Sequence, residues 1–314
     1  MVTRAANNMN LNLILAIFAA VLGMYQFGYN TGNINAPESE IKTFLQETYS
    51  ARYNRTLSEQ SSKTYFSFIV NLFVVGGLIG SLSGGYVADR FGRKLGILYT
   101  QVFSILGAIL MGISKSTGSF ELLMIGRFFV GISCGLFTGL SPLYINEISP
   151  INIRGAIGTV NQLAVTSGIL TSMVLGLGKV LGGRDSWPVL LALTVVPAML
   201  QCIILPFMPE SPRYLILSKK NLKEGREALE KLRNNKEVHS EMEELQNKEA
   251  MISTVDGSYS IWQLLTSSKL RLSLFICMCL HLSQQLSGIV AIFYYSTSFF
   301  EGGGITGENS QYGK

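Results

Sequence analysis

Gln162, His281, Gln284 and Gln285 are polar side chains set inside long apolar runs, and their types and spacing are the ones that could do chemistry in this chain. The clearest case is Leu272–Phe300, which holds no Asp, Glu, Lys or Arg and exceeds the roughly 20 residues that a spanning helix needs. Near its middle stand His281, Ser283, Gln284, Gln285 and Ser287, followed by Gly288. An amide left unpaired in hydrocarbon costs several kcal/mol, so Gln284 and Gln285 must turn toward other helices or an aqueous cavity. An amide also offers donors and an acceptor together, and so can mate with hydroxyls without carrying charge. The chemistry implied is recognition of a polar, uncharged solute rather than bond making. Phosphate-cradling loops, metal-ligand clusters and a nucleophile beside a base are missing, and His239 stands alone among Glu and Ser. No enzymatic activity, cofactor or metal is expected.

The elements that must position these residues are membrane helices. A chain of 314 residues with 48% hydrophobic and 14% charged residues falls well short of the roughly 25% charge of soluble domains. Its mean hydropathy is +0.33. The net charge of +5 is modest, and the basic residues fall between apolar runs, which argues against nucleic-acid binding. Cys134, Cys202, Cys277 and Cys279 all lie within apolar runs and read as small hydrophobes, not as a disulfide or zinc framework.

Six spans are expected before any long break: Asn12–Tyr29, Tyr65–Ala88, Leu95–Ser114, Leu122–Asn146, Gly155–Gly178 and Trp187–Met208. The first runs on into Gln26–Gly32 without a small-residue cleavage site, so a retained helix is expected rather than a signal peptide. Gly76, Gly80 and Gly84, like Gly131, Gly135 and Gly139, recur every fourth residue, which suits close helix contacts. Pro209–Arg271 is a polar break in which Asn221–Ala250 has helical character. The expected domains are therefore 1–208, a six-helix transmembrane bundle; 209–271, a cytoplasmic helical loop; and 272–314, a seventh span with a polar tail.

The stretch Gly85–Lys94 reads as a tight turn with Asp89, Arg90, Arg93 and Lys94, a basic bias that marks the cytoplasmic side. Arg127, Glu147 with Arg154, and Glu210 with Arg213 are assigned to that same side. These charges either simply orient the bundle or form ion pairs that clamp helix ends and open the inner face when broken. On the other side, the polar segment Ile34–Lys63 carries the sequon Asn54-Arg55-Thr56, a glycan site if that loop is extracellular.

Seven strings, in order, resemble the facilitative glucose transporters of the major facilitator superfamily: Gln26–Pro37, Gly84–Lys94, Gly126-Arg127, Pro142–Gly155, Asn161-Gln162-Leu163, Pro209–Arg213 and Gln284–Thr297. The resemblance implies an all-α membrane protein, with the N-terminal six-helix bundle, the cytoplasmic helical loop and the first helix of the C-terminal bundle. It implies facilitated, passive transport of a hexose such as glucose by alternating access, in a multi-pass protein of the plasma membrane. Gln162, Gln284 and Gln285 match the family's sugar-contacting glutamines, and Val165, Thr166 and Ile169 follow Gln162 at helical spacing and are expected to line the same substrate-binding face. Tyr294 and Tyr295 match aromatics of the outer gate. Val290 replaces a usual Asn, and His281 stands where many glucose-selective members have Gln, so affinity or preference among hexoses is expected to differ. Proton-coupled relatives carry an Asp where this chain has Asn30. The chain ends after its seventh span, from which we expect no sugar flux by the chain alone and self-association or pairing with a full-length sibling. The alternatives are a non-transporting product that modulates a full-length transporter, or a membrane sugar sensor.

Overall fold

The computed structural model describes residues 10–235, 238–254, 271–288, 291–292 and 303. Its helices are α1 (Leu11–Gly32), α2 (Glu38–Tyr53), α3 (Glu59–Phe91), α4 (Arg93–Ile113), α5 (Phe120–Ile148), α6 (Arg154–Leu175), α7 (Trp187–Ala192), α8 (Val195–Ile204), α9 (Leu222–Arg233), α10 (His239–Thr254) and α11 (Arg271–Leu286). Among the described residues there is no strand.

Local chemistry sets the helix ends. Asn10 accepts from the Leu13 amide at 2.8 Å, Ser58 from Ser61 at 3.1 Å and Asn221 from Glu224 at 3.3 Å, each satisfying an otherwise orphaned first-turn donor. The Asn10 side chain also donates to the Leu232 carbonyl at 2.7 Å, so one residue caps the start of α1 and the end of α9. That bond ties the polar helical layer to the bundle.

Among the described residues, five helical segments are long and apolar enough to cross a membrane: α1, α3, α4, α5 and the α7–α8 stretch Trp187–Phe207. The remaining expected span, α6, is as long as α1 but carries Asn161, Gln162, Thr166, Ser167, Thr171 and Ser172. It packs along α1 all the same. Helices α1 and α5 form the centre, α3 and α4 lie against α5, and α8 lies against α1 and α4.

Glycines set the tightest crossings. A Cβ on Gly76 would stand 2.3 Å from the Phe128 carbonyl oxygen and one on Gly131 2.3 Å from that of Phe73, so α3 and α5 touch backbone to backbone. Gly80 and Gly135 continue this contact, whereas Gly84 and Gly139 meet open space. The expected glycine faces are thus used over two of their three turns.

Several boundaries differ from those read off the sequence. The charged turn Gly85–Lys94 shrinks to Gly92 alone, because α3 runs to Phe91 and α4 begins at Arg93. Gly92 adopts φ +90°, which side-chain-bearing residues rarely tolerate. The polar segment after α1 contains α2, anchored by Ile41, Phe44 and Leu45 in an apolar cluster with Phe66, Phe73 and Trp187. The span Trp187–Met208 is interrupted at Leu193 and Thr194, where Pro197 lacks the amide that would bond the Leu193 carbonyl. The helical stretch Asn221–Ala250 is divided at Asn234, which takes a left-handed conformation. The seventh span is seen as α11 and a turn at Ser287 and Gly288; residues 289–290 and 293–300 lie outside the described residues.

Two apolar clusters fill the bundle, one around Leu13, Ile97, Tyr144, Ile148 and Leu205, the other around Ile34, Phe44, Phe66, Met111 and Trp187. Between them runs a buried polar layer of Gln26, Asn30, Gln101, Ser104, Arg127, Thr194 and Gln201.

Candidate functional site

Helix α6 divides its residues by face. Val165 and Ile169 are buried in the core cluster against α1, where Gly28 and Gly168 let the two backbones approach. Gln162 and Thr166 point the other way and are exposed. The Thr166 hydroxyl folds back on the carbonyls of Gln162 and Leu163 at 3.1 and 3.0 Å, which leaves the Gln162 amide as the outward-facing polar group of this turn. Gln284 and Gln285 lie on α11, none of whose residues is buried. His281 on the same helix is exposed. Val290, Tyr294 and Tyr295 lie outside the described residues.

The charged residues separate into a tight cluster and an open rim. The Arg93 guanidinium donates to both carboxylate oxygens of Glu147, at 2.8 and 2.9 Å, with side chains only 10% and 5% exposed. Ser211 donates to the same carboxylate at 2.5 Å. Glu210 accepts from the backbone amides of Arg93, Lys94 and Ser211 at 3.1, 3.0 and 2.8 Å, pinning the Gly92 turn to the start of the helical layer that follows the bundle. Tyr144 donates to the Pro209 carbonyl at 2.7 Å, and the Tyr214 ring stacks 5.0 Å from the Arg93 guanidinium. A buried carboxylate–guanidinium pair is tolerable only when its remaining hydrogen-bonding positions are filled, as these neighbours fill them.

Asp89 stands 3.8 Å from Arg93 with its side chain 80% exposed, at the edge of the cluster. Arg90 is exposed and lies over Phe91. Arg154 and Arg213 are also exposed; with Glu147, Asn146, Glu241 and Glu244 they line a cleft of about 140 Å³ between the bundle and the helical layer.

Arg127 does not belong to this end. It lies twenty residues before Glu147 on the same helix, about 30 Å away at 1.5 Å per residue. It is fully buried, donates to the Asn30 carbonyl at 3.0 Å and stacks 4.5 Å from the Phe73 ring. The assignment of Arg127 to the basic end is therefore corrected. The run from Phe120 begins at the opposite end of the bundle, so an early residue of α5 cannot reach the Gly92 turn.

Asn54 is exposed and closes α2 in a left-handed conformation, φ 50°, at the end of the bundle opposite Arg93. Ser211, Tyr144 and Tyr214 are the members of the charged cluster that sequence reasoning passed over. Ser211 and Tyr144 lie within strings already singled out, Pro209–Arg213 and Pro142–Gly155, and a hydroxyl beside a buried carboxylate is the signal that could have found them.

Residues 15–312 match the profile of the family described as "Sugar (and other) transporter". The chain is 44% identical over 301 residues to the facilitated glucose transporter member 1 of solute carrier family 2 from Gallus gallus, covering 96% of this chain and 61% of that protein. It is 42% identical over 293 residues to member 3 from Homo sapiens, covering 93% and 59%. The chain thus spans about three-fifths of the length of the curated relatives it matches. Among solved structures, it superposes on the E. coli xylose transporter XylE in a partially occluded inward-open conformation with TM-score 0.75 at 24% identity, covering 91% of this chain and 66% of that one. With the proton:xylose symporter XylE bound to 6-bromo-6-deoxy-D-glucose the TM-score is 0.77 at 24% identity, over 92% and 62%. The chain shares its fold with these structures, the second of which is described as a major facilitator superfamily protein.

Proposed function

We propose, from the premise that the chain belongs to the sugar transporter family and is a multi-pass membrane protein, that it serves the passive passage of a hexose such as glucose across the plasma membrane. The observation that carries this reading is the outward-facing amide of Gln162 in the middle of a helix packed within the bundle. Such a group in hydrocarbon must meet a partner or an aqueous path, and a sugar hydroxyl supplies donor and acceptor together. Gln284 and Gln285 are the matching groups on α11, and alternating access between two halves brings both sets to one solute. In the full-length protein, Gln162→Leu should lower sugar affinity about tenfold, as loss of one or two hydrogen bonds implies, while membrane insertion is unchanged. Unaltered affinity in Gln162→Leu, Gln284→Leu and Gln285→Leu alike would return these residues to helix packing.

The passive mode rests on Asn30. Its amide donates to the Gln26 carbonyl at 2.8 Å and accepts from Thr194 at 2.9 Å, and it does not titrate. Sugar entry should leave the external pH unchanged; alkalinisation in step with uptake overturns the reading.

The basic bias of Arg90, Arg93 and Lys94 supports an orientation with the Gly92 turn and the α9–α10 layer in the cytoplasm, and with Asn54 outside as a glycan acceptor. Protease added to intact cells should spare α9 and α10. An N-glycosidase should shift the electrophoretic mobility of the wild type and not of Asn54→Gln.

A further inference from the structure

The polar layer between the two apolar clusters contains three glutamine side chains from three helices, all at most 1% exposed: Gln26 on α1, Gln101 on α4 and Gln201 on α8. Their orientations follow from one fixed point. The Ala19 carbonyl can only accept, so the atom of Gln201 that meets it at 2.5 Å is the amide nitrogen. The Gln201 oxygen therefore faces Gln101, and Gln101 must present its own nitrogen to it. That leaves the Gln101 oxygen without a partner. One helical turn further along α4, Ser104 donates to the Gln26 oxygen at 2.6 Å, which leaves the Gln26 nitrogen without a partner as well. A hydroxyl can donate or accept, so the Gln26 amide could be reversed; its oxygen would then be the open atom.

We propose that one ordered water bridges the Gln26 and Gln101 amides inside this bundle. Two open polar atoms on fully buried side chains, held one turn of α4 apart by the Gln101–Gln201 and Ser104–Gln26 bonds, supply two of the partners that a buried water takes. Water suits either orientation of Gln26, because it donates to the Gln101 oxygen and either accepts from or donates to Gln26. The bridge links α1, α4 and α8 at the level where apolar packing is interrupted, next to the Asn30–Thr194 bond. It converts a weak layer into a continuous hydrogen-bonded one.

The test is a density map of the full-length protein at a resolution that shows ordered water, for the wild type and for Gln101→Leu. The expected result is a peak about 2.7–3.2 Å from both amides in the wild type, absent from Gln101→Leu. An empty site in the wild type, or the two amides bonded directly to each other, overturns the proposal. A thermal double-mutant cycle reads the same bridge independently of resolution. Gln26→Leu and Gln101→Leu should each lower Tm by about 2–4 °C, and the double variant by clearly less than the two together, because one water is lost only once. Additive shifts mean two separate partners and reject a shared water.

Discussion

The Arg93–Glu147 pair at one end of the bundle differs in worth from three ion pairs at the other. At the Gly92 end, Arg93 and Glu147 are sealed from solvent, bidentate, and surrounded by Ser211, Tyr214 and the backbone amides that engage Glu210. At the opposite end, Arg52 pairs with Glu121, Arg184 with Glu47 and Lys115 with Asp185, and each pair has at least one partner whose side chain is 43% exposed or more. Water and salt screen the second set, so those pairs contribute little beyond tying α2 and the connecting loops in place. A buried pair cannot lose one member without stranding the other charge. The difference teaches that a charge count along the chain says nothing of which charges hold the structure, and which could act as a latch.

Breaking the buried pair has the largest expected effect. Glu147→Ala should cost about 3–5 kcal/mol of unfolding free energy, measured by denaturant or thermal unfolding of the purified protein. Replacing both Arg93 and Glu147 by Met should recover most of that loss. A double variant as unstable as the single would mean that the pair's neighbours, not the stranded charge, carry the effect.

Ser211→Ala removes the hydroxyl bond to the Glu147 carboxylate, together with the weaker one that the hydroxyl accepts from the Tyr214 amide at 3.2 Å, and should cost about 1.5–3 kcal/mol, the range for hydrogen bonds to charged groups. A result near zero would place Glu147 within reach of water. The comparison would then narrow to degrees of exposure.

At the other end, Arg52→Ala loses the pair with Glu121, a 2.8 Å bond to the Gly118 carbonyl and a stack on Phe120. The expected loss is about 0.5–1 kcal/mol, and it should shrink in 1 M salt while the cost of Glu147→Ala does not. Equal salt sensitivity at the two ends would erase the distinction drawn between them.

The smallest effect is expected at Asp185. Its carboxyl is held below the ordinary aspartate range by a hydrogen bond from Lys115 and by that residue's charge. A carboxyl depressed on folding stabilises above its unfolded pKa, and that contribution is lost as pH falls through the lower folded value. With the side chain 96% exposed, Asp185→Asn should leave Tm unchanged at neutral pH. A measurable shift would mean that this loop is more closely packed than its exposure indicates.

Much of the fold was legible because hydropathy and helical spacing are local. The spans ending near Tyr29, Ala88, Ser114 and Asn146 correspond to α1, α3, α4 and α5, lengthened by the polar turns that the apolar pattern cannot register. Helix α2 escaped notice because only one of its faces is apolar and its ends are charged. The break before Pro197 was hidden inside an unbroken apolar run. Of the candidate site, the polarity of Gln162 was plain from sequence, but spacing alone grouped it with Val165 and Ile169, which turn into the core instead.

What the sequence by itself determined is the class of the molecule: apolar segments long enough to span a bilayer, small residues where helices cross, and amides set where only a polar solute or another helix could satisfy them. Those properties depend on each residue and its near neighbours. Partnership does not. Arg93 meets Glu147 across 54 residues and Glu210 across 117, and Arg127 turns to Asn30 instead of joining them. Which side chains met was decided by the rotation and register of whole helices, fixed by the glycine crossings of α3 on α5 and α1 on α6. Only the tertiary structure sets those, because a helix carries its polar groups to a given depth and direction only once its neighbours are packed.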